Sequence, residues 1–265
     1  KDEEVIALPD ALISVGWFDS SVSFGEPGYE ERETIVNGLK VAARGGFTGI
    51  ALNPNTNPVT DNSGGILFVK NKAQDAATTL FPVGALTRNR ESIDLAELYD
   101  MQQAGAVAFS DHRKPVTNAN LMKIALQYVQ GFNGLVCSFP SDLQIAGKGI
   151  VHEGEVSTGL GLKGIPEIAE SLQVARDIHI LEYTGGKLHI PTISTAASVA
   201  LIRAAKQKKL DISCSVALHN LFFTDEVLAD FDTNYKVLPP LRPEYDRSAL
   251  VEAVNYLSPT KAHFL

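Results

Sequence analysis

The feature that most constrains the fold of this chain is a repeated alternation of short apolar runs with longer amphipathic runs. The short runs have the length and β-branched content of buried strands, and the longer ones have the three-and-four spacing of helices. The strand candidates are Leu12–Phe18, Gly49–Leu52, Thr79–Leu86, Ala106–Ser110, Gly134–Phe139, Lys187–Ile193 and Ile212–Leu218. The helix candidates are Glu31–Arg44, Ser92–Gln103, Asn118–Gln130, Ile165–Tyr183, Ala196–Lys209 and Ser248–Leu257.

This alternation, at a period of roughly 25 to 30 residues, predicts parallel strands joined by helical crossovers. Seven candidate strands, none of them followed directly by a Gly-x-Gly-x-x-Gly fingerprint, favour a barrel over a dinucleotide-binding sheet. The chain has 265 residues, 45% of them hydrophobic, which is enough for one large core. We therefore predict an α/β fold of the (β/α)8 TIM-barrel type, with residues 1–265 in one domain.

Charge and cysteine content exclude several classes of protein. The net charge is −8 and no basic run occurs, which argues against a nucleic-acid or membrane-surface partner. No apolar stretch reaches the roughly 20 residues of a membrane span, and no signal-peptide pattern is present. The two cysteines, Cys137 and Cys214, form no Cys-x-x-Cys pair, so neither a disulfide framework nor a zinc knuckle is expected. These features predict a cytoplasmic protein.

Short motifs that follow the predicted strands resemble those of a known family. Eight pieces occur in the same order as in that family, from about Val5 to Leu257: Gly25–Gly28, Pro54–Pro58, Gly105–Asp111, His152–Thr158, Leu160–Pro166, Leu188–Ile190, Ile193–Thr195, and Thr233–Val237 with Pro239–Arg242. The family is dihydroorotase, of the bacterial type found in multifunctional complexes, within the amidohydrolase superfamily. Each piece is short, and their order across nearly the whole chain carries the resemblance.

The resemblance implies a zinc-dependent barrel enzyme of pyrimidine biosynthesis that closes N-carbamoyl-L-aspartate to dihydroorotate. Such a metal lowers the pKa of bound water from about 15.7 to about 7, and an arginine holds the substrate carboxylate. Full-length members also carry a small β-sandwich built from both termini, which residues 1–15 would border.

The positions that the resemblance assigns to this chemistry are mostly occupied by other residue types. The metal-ligand positions hold Ser21, Ser23, His112, Phe139 and Thr192. Of the substrate positions, the arginine is replaced by Gly25 and an asparagine by Leu238, while Asn55 is retained. Hydroxyl and phenyl groups are poor zinc ligands, and glycine has no side chain to contact a carboxylate. We therefore expect no catalytic residue, no metal site and no cofactor. The tail Ser258–Leu265 does not match the eighth-strand motif of the family.

Three residues remain as candidates for a residual pocket: Asp111, His112 and His219. His112 either binds a ligand or is a loop histidine bonded to a neighbouring carboxylate. We expect His152 and His189 to make framework hydrogen bonds. No serine lies in a Gly-x-Ser-x-Gly elbow, which argues against a serine hydrolase.

The sequence thus favours a non-catalytic dihydroorotase relative, a pseudoenzyme that acts as a partner or scaffold subunit. A homodimer is expected, and the resemblance makes aspartate carbamoyltransferase the first partner to test. The alternative is a cyclic amidohydrolase with weak or altered activity that uses Asp111, His112 and C-terminal residues that do not match the family motif. A third hypothesis is small-molecule sensing in a metal-free pocket.

Overall fold

The structure, a computed structural model, describes residues 14–257 and the surroundings of side chains up to residue 254. The first half contains β1 (Trp17–Val22), α1 (Ile35–Arg44), β2 (Phe47–Leu52), α2 (Ser63–Lys72), β3 (Thr79–Gly84), α3 (Leu98–Ala104), β4 (Ala108–Ser110), α4 (Ala119–Val129) and β5 (Val136–Cys137). The second half contains α5 (Leu143–Ala146), β6 (Val151–His152), α6 (Glu155–Gly159), β7 (Gly164–Ile165), α7 (Ile168–Thr184), β8 (Leu188–Ile190), α8 (Ala196–Gln207), β9 (Ile212–Cys214), α9 (Leu218–Phe222) and α10 (Glu244–Leu257).

The main sheet has seven strands in the order β1-β2-β3-β4-β5-β8-β9. Every pairing in it is parallel, as the alternation of the sequence predicted. Helices connect successive strands, which confirms the α/β fold class. The eighth strand of the predicted barrel would follow α10, and residues 258–265 lie outside the described part of the chain.

The strands of this sheet have two different faces because successive side chains point to opposite sides. The outward face packs against the helices in the main apolar core, to which Phe109, Val136, Leu188 and Ile212 contribute. The inward face carries smaller side chains, which form a separate cluster of Ala51, Val83 and Ala108 with the partly buried Leu135 and Cys137. Small inward side chains leave space in the centre of the sheet.

Several elements differ from the predictions. Strand β1 begins at Trp17 rather than Leu12, so Ser21 lies within the strand; residues 12 and 13 are outside the described part. Helix α2 was not predicted, because its Ser-Gly-Gly start is a poor helix former; the Asn62 side chain caps it by accepting the N–H of Gly65 at 3.0 Å. Helix α3 starts at Leu98 rather than Ser92, whose φ of 58° is left-handed.

Strands β6 and β7 form a second, two-stranded parallel sheet that the sequence did not predict. Each strand is only two residues long, which is too short to give a periodic signal. This small sheet lies in the segment of the chain between β5 and helix α7.

Candidate functional site

A cavity of about 550 Å³ lies on the inward face of the main sheet, and its lining includes residues that follow the carboxyl ends of several strands. In parallel α/β folds this carboxyl edge is where ligands bind. Its polar lining is dominated by hydroxyl groups: Ser20, Ser21, Ser23, Ser110, Thr192, Ser213 and Ser215. Its volume falls within the range of small-molecule sites.

The five positions that the family resemblance assigned to one metal site all line this cavity. Ser21 and Ser23 come from β1 and the residue after it, His112 follows β4, Phe139 follows β5 and Thr192 follows β8. Residues far apart in the sequence therefore meet at one place.

Hydrogen bonds hold the serines of β1 in place. The Nδ2 of Asn53 donates to Ser21 Oγ at 3.0 Å, and Ser23 Oγ donates to Asn55 Oδ1 at 3.1 Å. Both asparagines follow β2, the neighbour of β1. The retained Asn55 therefore contacts a hydroxyl at the position where the family has an imidazole.

The backbone is left-handed at two of the family positions in this lining. His112 has φ 56° and Thr192 has φ 50°, which is uncommon for residues with a side chain. The N–H of His112 donates to Ser110 Oγ at 3.0 Å, and the N–H of Thr192 donates to Ser215 Oγ at 3.2 Å. Ser110, at the end of β4, and Ser215, directly after β9, thus hold these two left-handed residues in place through hydrogen bonds.

The imidazole of His112 is neutral at physiological pH. Burial is the main cause that lowers its pKa to about 4, and the nearby charges of Arg113 and Arg90 lower it further. A neutral imidazole can donate one hydrogen bond and accept another. With so low a pKa it is a weak general base near pH 7.

Asp111, a candidate pocket residue from the sequence, does not line the cavity. Its buried carboxylate accepts the N–H groups of Leu86 and Thr87, both at 3.0 Å, and the Thr87 hydroxyl at 2.6 Å. Burial raises the pKa of Asp111, and the bonds from Thr87 oppose that rise. The side chain ties the end of β4 to the segment that follows β3.

His219 is likewise outside the cavity lining. Its Nε2 is buried and finds no hydrogen-bond partner among the described residues. Burial and, second, the charge of Arg113 lower its pKa. The charge of Arg113, which lines the cavity, therefore acts on His219, although His219 itself does not line the cavity.

Two of the three substrate positions also lie away from the cavity lining. Gly25 has φ 130°, its carbonyl accepts the N–H of Tyr29 at 2.9 Å, and an added Cβ would lie 2.5 Å from the Tyr29 oxygen. The turn therefore requires glycine at this position. Leu238 packs against Ala146 and Ile165. Asn55 is the one substrate position that the cavity contains.

The described lining does not fit a zinc ion. Of the five family ligand positions only His112 carries a nitrogen donor, whereas a catalytic zinc takes about three protein ligands. Within residues 14–257 no group of three His, Cys, Asp or Glu side chains could hold a metal. Cys137 lines the cavity, but burial raises its pKa to about 12, which disfavours the thiolate that a metal needs.

Sequence reasoning missed several lining residues. His189 makes the framework bonds that were expected, from Nδ1 to Ser213 Oγ at 2.9 Å and from Nε2 to Ser215 Oγ at 3.3 Å, yet it also faces the cavity. The signal was the apolar–polar alternation of Leu188–Ile190 and Ile212–Val216, which places these polar residues on the inward face. For Arg113, which also lines the cavity, no sequence signal exists.

His152 lies outside the lining and bonds to the framework as expected. Its Nδ1 is 2.9 Å from Nη1 of Arg242, which also donates to the Ile165 carbonyl at 2.9 Å. Burial and then the charge of Arg242 lower the pKa of His152 to about 4.

Within residues 14–257 no helix combines the length and the apolar character that crossing a bilayer requires. This finding concerns the helices α1 to α10 described above.

Solved structures with a similar fold include a hydantoinase and a dihydroorotase. L-hydantoinase (dihydropyrimidinase) from Arthrobacter aurescens superposes with a TM-score of 0.77 at 20% identity, over 91% of this chain and 55% of that one. Dihydroorotase in complex with 5-fluoroorotic acid from Saccharomyces cerevisiae gives a TM-score of 0.68 at 15% identity, over 96% of this chain and 69% of that one. These likenesses establish the TIM-barrel fold.

Sequence relatives define the family more closely. A family model described as dihydro-orotase-like matches residues 11–198. The dihydroorotase of Pelotomaculum thermopropionicum is 47% identical over 251 residues, which are 95% of this chain and 59% of the relative. That of Geotalea daltonii is 41% identical over 250 residues, 94% of this chain and again 59% of the relative. The chain thus spans about three-fifths of these relatives, and it belongs to the dihydroorotase-like family.

Proposed function

We propose that this chain is a non-catalytic member of the dihydroorotase family that serves as a partner or scaffold subunit. One observation carries the proposal. The cavity at the carboxyl edge presents serine, threonine and phenylalanine at the positions where the family reaction needs metal ligands.

The family reaction makes three chemical demands that the described lining does not meet. It needs a metal-activated water, a group that moves a proton and a cation that holds the substrate carboxylate. His112 is the one imidazole at the five ligand positions, and its pKa of about 4 makes it a poor base near pH 7. No carboxylate lines the described cavity, and position 25 has no side chain.

Exposed apolar side chains on the segment that follows β9 support a role in protein contact. Leu218 is 58% exposed, Phe222 70% and Phe231 62%, all on the segment that follows β9. Exposed apolar groups clustered on loops are typical of protein-binding surfaces. The partners that we propose are a second copy of the chain and, as the first heterologous candidate, aspartate carbamoyltransferase.

The identity of 47% to a dihydroorotase favours a second candidate function. In this alternative the protein is a cyclic amidohydrolase that closes N-carbamoyl-L-aspartate to dihydroorotate with weak or altered activity. It would use Asp111 and His112 together with groups from outside the described residues.

Complementation separates the two candidates. The full-length gene is expressed in a pyrimidine auxotroph that lacks dihydroorotase, with the Pelotomaculum thermopropionicum gene as the positive control. We expect no growth without uracil from the gene of this chain and growth from the control. Growth with both genes would overturn the non-catalytic assignment.

Association is tested on the same full-length protein by size-exclusion chromatography with light scattering, alone and mixed with the aspartate carbamoyltransferase of the same cell. We expect a dimer mass alone and co-elution in the mixture. A monomer mass together with separate elution would refute the partner role.

A further inference from the structure

The described lining of the cavity has a distinctive charge balance. It contains one arginine, Arg113, and no aspartate or glutamate. Arg113 is exposed and makes no ion pair among the described residues. Arg113 therefore places a positive charge at the lining that no lining carboxylate offsets.

A second guanidinium lies behind this rim. Nε and Nη1 of Arg90 are buried and have no hydrogen-bond partner among the described residues. Arg90 lies close enough to His112 to lower the pKa of that imidazole. The charge of Asp111 offsets Arg90, as its effect on the arginine pKa shows, whereas no lining carboxylate offsets Arg113.

The interior of the cavity offers hydrogen bonds together with an apolar wall. Ser20 Oγ is buried without a partner among the described residues, although it lines the cavity. The other serine and threonine hydroxyls of the lining can donate to or accept from a ligand group. Phe18, Val83 and Leu135 supply apolar surface in the same cavity.

We propose that the cavity binds a small organic oxyanion, a carboxylate or a phosphate ester, whose charged group contacts Arg113 while its body lies against Ser20 and the apolar wall. Guanidinium groups pair with oxyanions through directed N–H bonds. The anchor differs from the substrate-binding position of the family, which Gly25 occupies outside the lining. The inference goes beyond the partner role, since it concerns binding and requires no turnover.

The test uses probes that differ in charge but hardly in shape. Nicotinate and nicotinamide share a pyridine ring, whose nitrogen accepts a hydrogen bond, and differ in carboxylate against amide. Inorganic phosphate is the third probe and distinguishes phosphate from carboxylate recognition. Binding to the full-length protein is measured by saturation-transfer NMR and by isothermal titration.

The variants isolate the role of one guanidinium. Arg113→Ala removes the anchor, and Arg113→Lys keeps a positive charge. Arg44→Ala is the matched control, since Arg44 is an exposed arginine at the last turn of α1, towards the opposite edge of the barrel. Circular dichroism verifies that each variant is folded.

We expect the unmodified protein to bind nicotinate or phosphate with a dissociation constant below about 10 mM. Nicotinamide should bind roughly fivefold more weakly than nicotinate, as expected for one partly exposed charge pair. Arg113→Ala should remove this preference, while Arg113→Lys and Arg44→Ala retain it. Tighter phosphate binding with the same dependence on Arg113 identifies a phosphate ester as the ligand class.

Three results would overturn the proposal. They are equal binding of nicotinamide and nicotinate, equal effects of Arg113→Ala and Arg44→Ala, and no saturable binding of either anion. Because no product is measured, these results are independent of whether the protein is catalytic.

Discussion

Replacing the buried carboxylate of Glu170 should strongly destabilise the barrel. Glu170 lies on α7 and is 3% exposed. It accepts the N–H of Ser194 at 2.9 Å, the N–H of Thr195 at 3.0 Å and both of their hydroxyl groups, the Thr195 one at 2.9 Å. One carboxylate thus anchors the loop between β8 and α8 to helix α7.

The magnitude follows from a buried cation on the other side of Ser194. Arg242 is also 3% exposed, its Nε donates to Ser194 Oγ at 3.1 Å, and the charge of Glu170 is the strongest one that favours its protonated form. Glu170→Ala leaves this guanidinium without its principal counter-charge. Breaking a buried charge pair costs about 3–5 kcal/mol of unfolding free energy, and we expect a loss in that range.

Urea unfolding followed by circular dichroism measures the change, with the slope of the transition checked for constancy. Glu170→Gln, which keeps an acceptor oxygen, should lose less and remain measurable if the alanine variant does not fold. The matched control is Glu182→Ala on the same helix, where an exposed glutamate pairs with Lys208 at 2.8 Å. Such an exposed pair contributes little. Equal losses in Glu170→Ala and Glu182→Ala would refute the reasoning.

Four further outcomes are expected. The purified full-length protein should contain less than about 0.1 zinc per chain by elemental analysis, because the lining has too few donors; one zinc per chain would contradict this. Because the pKa of His152 falls from 6.5 to about 4 on folding, protonation favours the unfolded state, and its contribution to stability is full above pH 6.5 and declines towards pH 4. Urea midpoints should therefore fall more steeply over that range in the unmodified protein than in His152→Asn; parallel curves would show that His152 does not titrate as described. Thr192→Asn should stabilise the protein by about 1 kcal/mol, since asparagine tolerates the φ of 50° better than threonine, and a lowered melting temperature would argue against strain at this turn. Native Cys137 should react with iodoacetamide at pH 8 far more slowly than N-acetylcysteine does, because its pKa is about 12; comparable rates would disprove burial of the thiol.

Most of the main sheet could be predicted from the sequence because strands such as β2, β3 and β5 lie in apolar runs. Helix α2 could not, because its core contacts, Ile66 and Val69, are too few to override two glycines in a local pattern. Strand β1 was placed too early because the polar pair Ser20 and Ser21 breaks an apolar run. Side chains that face a cavity need not be apolar. A search for apolar runs therefore does not detect the end of a strand that lines a cavity.

The candidate site could be predicted in position but only partly in composition. Motif order placed Ser21 and Thr192 at strand ends, and parallel strand ends meet at one edge. The orientation of Asp111 depends on the N–H groups of Leu86 and Thr87. These two residues follow β3 rather than β4, so the sequence around Asp111 does not predict the contact. Arg113 is next to the left-handed His112, whose conformation decides where the following side chain points.

The division of each strand into an outward and an inward face has a consequence for how this barrel can change over evolutionary time. Phe109 and Val136 face the helices and carry the packing energy, while neighbouring Ala108 and Cys137 face the hollow interior. A substitution on the hollow side opens no new void in the packed core, so its cost in folding free energy is small. New side chains can therefore be introduced at cavity-lining positions such as Ser21 and Thr192 without first stabilising the scaffold.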